Sequence, residues 1–271
     1  MKKTIRFKMG GSVAKKIAED IPIGGRQLLI KNYPKASEVR LVPVGDVHYG
    51  SGDCDVDLFQ GTLDYIKESE SYMIGMGDYL NLALKNSKSD IYTEIENPDS
   101  SYEQLYEMLY PIRNRIWGLH MGNHEFRVWR EAGINITKSL CRDLKVPYLG
   151  FATFTKVKVG DNNYTIYSTH GGSGATTQEG KLRAVRRLGE SFDADLYLMG
   201  HMHETAVLSE DKRSVDYRNK TVKRKKVYYV CTGHFTDYEG SYGEMKNYRP
   251  GKKGCAKVKL NGKRWDMHVS I

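Results

Sequence analysis

The 271-residue sequence predicts an α/β fold, and three observations carry that prediction. Short apolar runs at Glu38–Val44, Tyr72–Met76, Arg115–Met121, Tyr164–Ser168 and Ala194–Met199 are rich in Val, Ile, Leu, Tyr or Met and read as strands. Between them apolar residues recur at helical spacing: Phe59, Leu63 and Ile66; then Leu105, Met108, Leu109 and Ile112; then Leu182, Val185, Leu188 and Phe192. Each strand-like run also ends at a polar cluster that contains glycine. Strands alternating with helices are the pattern of an α/β architecture.

The remaining elements follow in order. Residues 1–36 read as an N-terminal extension, with a short helix over Ser12–Asp20 and a turn at Gly24-Gly25. Residues 37–271 read as one domain, since no repeat, low-complexity stretch or Pro/Ser-rich linker divides them. Toward its end, Val207 to Val230 reads as a hairpin turning near Asn219, followed by strand-like Ala256–Leu260 and Trp265–Ser270. The domain therefore closes with β structure.

Composition narrows the class. With 39% hydrophobic and 28% charged residues and a mean hydropathy of −0.57, the chain has the make-up of a globular protein and not of a disordered or membrane one. Met1-Lys2-Lys3-Thr4 resembles the charged head of a secretion signal, but Arg6, Lys8, Lys15 and Lys16 interrupt the apolar run such a signal needs. The expectation is a cytoplasmic protein with no membrane partner. Cys54, Cys141, Cys231 and Cys255 are far apart and form no C-x-x-C pair, which argues against a thiolate zinc site or a disulfide scaffold.

The clusters that follow the five runs carry the chemistry. They are Gly45-Asp46-Val47-His48, Gly77-Asp78, Gly122-Asn123-His124-Glu125, His170-Gly171 and Gly200-His201-Met202-His203. In open α/β sheets ligands bind beyond the carboxyl ends of the strands, so these clusters are expected to meet in one crevice. Asp46, His48, Asp78, Asn123, His170, His201 and His203 then form a nitrogen and oxygen donor set that suits Mn, Fe, Zn or Co. Asp-x-His and His-x-His on extended chain place both side chains on one side, where they can chelate one ion. Seven donors are too many for one tetrahedral ion and fit two ions sharing a carboxylate. Such a pair, roughly 3.5–4 Å apart, serves in-line displacement at phosphorus.

This ordered motif set resembles the calcineurin-like metallophosphoesterases, which include serine/threonine protein phosphatases, purple acid phosphatases, cyclic-nucleotide phosphodiesterases and DNA-repair exonucleases. The resemblance spans about residues 38–235. It implies a four-layer αββα sandwich of two mixed sheets flanked by helices. It also implies two divalent ions, Mn foremost with Fe, Zn or Ni as alternatives, and attack by a metal-bound hydroxide. Asp46, His48 and His203 would hold one ion, Asn123, His170 and His201 the other, and Asp78 would bridge them. Asp78, Asn123 and His124 form the catalytic group, with His124 on the leaving-group side and Glu125 orienting a neighbour. Tyr79, next to Asp78, does not match the spacing of the purple-phosphatase tyrosinate ligand.

Charge bears on the substrate. The net charge is +9, and the surplus lies after Thr205, where 16 Lys and Arg face 7 Asp and Glu. The basic hairpin Lys212–Lys226, the basic tail Lys246–Arg264 and the run Lys181, Arg183, Arg186 and Arg187, its three arginines on one helix face, suggest a polyanion partner. Tyr228, Tyr229, Tyr238, Tyr242 and Tyr248 among those cations are rings on which single-stranded nucleic acid could stack. Arg127, Arg183 and His234 are the candidate substrate contacts. The favoured expectation is a phosphodiesterase acting on nucleic acid, a nuclease. A phosphomonoesterase on a nucleotide or phosphoprotein is the alternative, ahead of a non-catalytic binding scaffold. An oligomeric partner is a further expectation, to which the extension or the basic tail could contribute.

Overall fold

A computed structural model describes residues 24–85 and 91–271. The helix expected over Ser12–Asp20 lies outside the described residues. In chain order the strands are β1 (Leu28–Tyr33), β2 (Glu38–Val44), β3 (Tyr72–Gly75), β4 (Ile116–His120), β5 (Tyr148–Gly150), β6 (Ala152–Val159) and β7 (Asn162–Thr169). They continue as β8 (Leu196–Met199), β9 (Thr205–Asp216), β10 (Thr221–His234), β11 (Gly254–Cys255), β12 (Lys257–Asn261) and β13 (Met267–Ser270). The helices are α1 (Val56–Glu68), α2 (Pro98–Leu109), α3 (Asn123–Ala132), α4 (Ile136–Leu144), α5 (Gln178–Ser191) and the single turn α6 (Tyr242–Met245).

The strands form two mixed sheets. One has six strands in the order β13-β12-β2-β3-β4-β5, with β2 to β5 parallel and β12 antiparallel to β2. The other has seven, in the order β1-β6-β7-β8-β10-β11 with β9 paired to β10. β7, β8 and β10 run parallel, and β9 returns antiparallel along β10. β1 lies within the segment read from the sequence as an extension, yet it pairs in parallel with β6 as an edge strand. Its alternating burial, with Leu28 and Ile30 outward and Leu29 inward, is what an edge strand with one covered face shows.

Three apolar clusters define four layers. Leu41, Ile74 and Trp117 of the six-stranded sheet meet Val157, Ile166, Leu198 and Val230 of the seven-stranded sheet between the two. On the outer face of the six-stranded sheet, Phe59, Leu63 and Ile66 of α1, Leu105 and Leu109 of α2, and Leu140 and Leu144 of α4 pack on Val42, Met73 and Leu119. On the outer face of the other, Val185, Leu182 and Leu188 of α5 cover Tyr197, Tyr229 and Cys231. This is the αββα sandwich expected. The helical stripes read from the sequence are thus the faces that bury, and local signals fix where they start. Asp55 Oδ1 accepts from Leu58 N at 3.0 Å, Asn97 Oδ1 accepts from Ser100 N at 3.0 Å, and Thr177 Oγ1 accepts from Gly180 N at 3.2 Å.

His120 ties the layers beneath the site. Fully buried at the end of β4, it bonds Gly150 O through Nδ1 at 3.0 Å and Ser168 Oγ of β7 through Nε2 at 2.8 Å. Burial lowers its pKa to about 4. The unfolded chain, with an ordinary value near 6.5, therefore takes up that proton first as pH falls. His120 is expected to cost about 3 kcal/mol of stability between pH 6.5 and pH 4 and to add no pH dependence above 6.5. The difference between the urea midpoints of metal-stripped protein at pH 7.5 and 5.0 should narrow in a His120→Asn variant, the buried His48, His124 and His203 keeping the remainder; an unchanged difference would show that His120 does not contribute.

Candidate metal centre

The parallel strands of both sheets end at one pole, and the residues that follow them converge there. Asp46 and His48 follow β2, Asp78 follows β3, Asn123 opens α3 after β4, His170 follows β7, and His201 and His203 follow β8. All seven predicted ligands are brought together. His48 Nε2 and His203 Nε2 lie 3.1 Å apart, and His203 Nε2 is 3.6 Å from Asp46 Oδ1. On the other side Asn123 Oδ1 is 2.9 Å from His170 Nε2 and 2.6 Å from His201 Nδ1. Asp78 Oδ2 stands between the groups, 3.3 Å from His170 Nε2 and 3.9 Å from His48 Nε2. Ligand atoms bonded to one ion at about 2.0–2.2 Å are separated by roughly 3 Å or slightly more. Most of these spacings meet that requirement, the 2.6 Å between Asn123 and His201 being shorter and the 3.9 Å between Asp78 and His48 longer, and Asp78 stands within reach of both groups.

Backbone conformation sets this geometry. Asp46, His48, Asp78, His201 and His203 all have φ between 44° and 65°, the left-handed region that non-glycine residues rarely adopt. Each costs about 1 kcal/mol or more, and such residues persist only where their surroundings over-determine them. The surroundings here are backbone bonds between loops. Val47 N and His48 N both donate to Asp78 O, at 2.9 and 3.1 Å, and Asp46 N donates to Gly77 O at 2.9 Å. His201 N in turn donates to both carboxylate oxygens of Asp46, at 3.0 and 2.8 Å.

Glu125 holds the third loop to the second. Buried on the first turn of α3, its carboxylate accepts from Asp78 N at 3.0 Å, Tyr79 N at 2.7 Å, Leu80 N at 3.2 Å and Gly122 N at 2.9 Å. Asp78 Oδ1 accepts from His124 N at 2.8 Å, which leaves Oδ2 for the cluster. The loops touch so closely that a Cβ on Gly122 would overlap the backbone nitrogen and Oδ1 of Asp78. The orienting role expected of Glu125 is therefore played on backbone amides.

Imidazole orientation is fixed in the same way. His170 Nδ1 bonds Met76 O at 2.8 Å, and His124 Nδ1 bonds Asn81 O at 2.6 Å, so Nε2 of each faces inward. His124 Nε2 lies 3.9 Å from Asp78 Oδ2. The electrostatics suit a cation. Burial raises Asp46 to about 8 and pushes His48 and His203 well below the ordinary histidine range, while burial lowers His124 to about 4. His170 departs from this pattern: burial opposes its charge, but Asp78 and Asp46 beside it raise it to about 10. Carboxylates deprived of water and imidazoles held neutral form a donor set that divalent ions would satisfy.

The three candidate substrate residues fare differently. His234, at the end of β10, is buried behind His203: the rings stack at 5.3 Å, and Thr236 Oγ1 lies 3.0 Å from His234 Nδ1 and 3.4 Å from His203 Nδ1. Arg127 is partly buried near the charges of Asp78, Glu125 and Glu94. Arg183 is exposed on α5 and does not line the clefts; its neighbour Arg186 pairs with Glu210. The cation of that run that faces the centre is Lys181, just before it on the same helix, which pairs with the buried Glu204 at 3.4 Å. The sequence reading placed Lys181 in this run but chose Arg183 as the contact, because it weighed which cations share a helix face, and not which face looks toward the strand ends.

Two clefts flank the cluster and meet at His203. One, of about 630 Å³, runs along His201, Lys181, Tyr238, Tyr248, Arg249 and Lys253. The other, of about 820 Å³, runs along His48, Ser51, Asn81 and Met245. Asp53, Asp237 and Glu239 border both. Tyr238 and Tyr248 thus stand beside the centre, whereas Tyr228 and Tyr229 are buried in the sheet. Tyr79 is buried as well, its hydroxyl beside Gly75 and not among the ligands.

No family model and no curated protein matches the chain. Among solved structures it is similar to a predicted phosphoesterase from Streptococcus pneumoniae TIGR4, at 13% identity over 86% of this chain and 88% of that one, TM-score 0.39. It is also similar to a Vps29 double mutant from Entamoeba histolytica, at 13% identity over 86% and 89%, TM-score 0.41. A metallophosphoesterase from Sphaerobacter thermophilus gives 14% over 86% and 89%, TM-score 0.38.

Glu125→Gln should test the loop clamp. A glutamine oxygen can serve the amides on one side only, and its NH₂ would oppose the others. The substitution is expected to cost about 2 kcal/mol or more and to lower metal affinity roughly 10- to 100-fold, measured by thermal unfolding and titration with Mn. Full metal affinity in the variant would refute the clamp.

Proposed function

We propose that this chain is a metal-dependent phosphoesterase using two divalent ions, and that it acts as a phosphodiesterase on nucleic acid. The observation that carries the coarse reading is the pair of donor groups, Asp46-His48-His203 and Asn123-His170-His201, with Asp78 between them. When bound, two such ions would supply a nucleophile from water and offset charge on the phosphate oxygens. Manganese is the proposed ion, since hard oxygen and imidazole donors without thiolate accept it.

The chain's own residues do the rest. Asn123 is the exposed member of the ligand set, so its amide can hydrogen-bond a phosphate oxygen at the mouth. His124, held by Asn81 O through Nδ1, turns Nε2 toward the place a leaving oxygen would occupy and, once protonated, can donate to it. Clefts on both sides of His203 give room for both ester arms of a diester, which supports a diesterase over an enzyme for monoesters. Lys181, Arg249, Tyr238 and Tyr248 along one cleft support a nucleic-acid strand as that arm. One observation favours a smaller substrate instead: Asp53, Asp237 and Glu239 border both clefts and would repel a long polyanion.

Hydrolysis of bis(p-nitrophenyl) phosphate, p-nitrophenyl phosphate and end-labelled DNA with added Mn separates these readings. Asp78→Ala is expected to lose bound metal and nearly all activity. His124→Ala should keep metal and lose about 10²- to 10⁴-fold in kcat. An unchanged rate in Asp78→Ala would overturn the two-ion reading, and turnover of the monoester alone would make the protein a phosphatase.

A further inference from the structure

The cations that dominate the sequence are not at the metal centre. β10 ends there, at His234, so its beginning lies at the opposite pole; Lys225 pairs with Asp195 at 2.9 Å just before the start of β8. From Arg224 to His234 is ten residues of strand, roughly 33 Å at about 3.3 Å per residue. On the N-terminal side of Tyr228, where pairing with β8 stops, β9 and β10 continue as a two-stranded ribbon. Residues 212–226 of this ribbon and its turn hold eight Lys or Arg against the single acid Asp216.

Several of these charges are spent within the fold. Asp216 accepts from Asn219 Nδ2 at 2.8 Å and pairs with Lys223 at 2.7 Å, which staples the turn. Lys225 is held by Asp193 and Asp195, and Lys212 reaches Gly189 O at the end of α5. Arg213, Arg218, Lys220 and Arg224 are exposed and have no carboxylate partner among the described residues. Arg213 stands directly opposite Arg224 across the ladder, and Lys212 opposite Lys225. Like charges in facing positions destabilise a strand pair. Beside the arginine pair, Val215 faces Val222, 60% and 57% exposed, and Tyr217 at the tip is 87% exposed. A ribbon that repels itself and leaves its apolar side chains in water is built for a polyanion that also offers apolar surface.

We infer that the β9-β10 arm is a docking element for double-stranded DNA, separate from the hydrolytic centre. A two-stranded ribbon fits the roughly 12 Å major groove of B-form DNA. The deep, narrow major groove of duplex RNA does not admit one. Arg213 and Arg224 then meet phosphates on the groove walls or base edges, and Val215, Val222 and Tyr217 meet the apolar surface within. About one helical turn of duplex spans the distance from the arm to the metal centre. The arm therefore anchors duplex while cleavage takes place elsewhere on it. This deepens the nucleic-acid reading above and rests on it, and its test does not pass through hydrolysis.

The test is fluorescence anisotropy of a labelled 20-base-pair DNA duplex in EDTA over a range of salt. The full chain is compared with Arg213→Ala/Arg218→Ala/Lys220→Ala/Arg224→Ala. The variant is expected to bind at least tenfold more weakly, with the slope of log K against log salt reduced by about 3. Its thermal midpoint should not fall, since the facing like charges are removed, and its Mn-dependent rate on bis(p-nitrophenyl) phosphate should not change. Equal DNA affinity in the two proteins would overturn the inference. So would equally tight binding of the full chain to an RNA duplex of the same sequence, which would show charge attraction without a groove. If neither protein hydrolyses the diester yet the arm variant alone loses DNA, the arm stands and the enzymatic reading falls.

Discussion

The buried carboxylate of Glu125 is the constraint on which the centre depends. It gathers four backbone amides from two loops, those after β3 and β4, at 2.7 to 3.2 Å. Without it four N–H groups would point into a dry interior with no acceptor, each a cost of about 1–3 kcal/mol. With it, Asp78 and Asn123 are presented from different strands at fixed separation. The pKa of Glu125 reflects its confinement there, since burial and the nearby charge of Asp78 raise it to about 7 while the amides pull it down. Divalent ions beside Asp78 would relieve the repulsion and tighten the clamp.

From this anchor the rest of the site follows as a chain of bonds. Glu125 fixes the Asp78 loop; the carbonyl of Asp78 fixes Val47 and His48; Asp46 fixes the backbone of His201. Residues from one sheet thereby position ligands from the other. The left-handed backbone at five ligands is tolerated because each sits within this lacing. Beneath it, His120 joins β4 to Gly150 and to Ser168 of β7, so the two sheets are registered to each other directly under the ligands.

Much of the fold was legible locally. The run at Glu38–Val44 is β2 to the residue, and the stripes of Phe59, Leu63 and Ile66 and of Leu182, Val185 and Leu188 are buried faces of α1 and α5. β6 was not legible as a strand, although Val157 and Val159 alternate with lysines, because its pairing with β1 and β7 is what gives it a buried face. β1 escaped for the same reason. The convergence of the seven candidate donors was legible because each follows a strand-like run, and that position has a meaning in an α/β sheet. Arg183 was not, since the direction in which a helix faces is set by the sheet beneath it.

The sequence by itself determined the donor chemistry: which side chains could bind a cation, in what order, and that thiolates take no part. It also determined the total charge and its concentration after residue 205. Only the tertiary structure decided where that charge acts. Tyr228 and Tyr229 became core residues, Lys181 rather than Arg183 came to the cleft, and the basic hairpin came to the pole opposite the metal centre. The physical reason is that a ligand's identity is local, whereas the distance between two patches depends on how strands run. β10 carries cations at one end and His234 at the other, and its length keeps them apart.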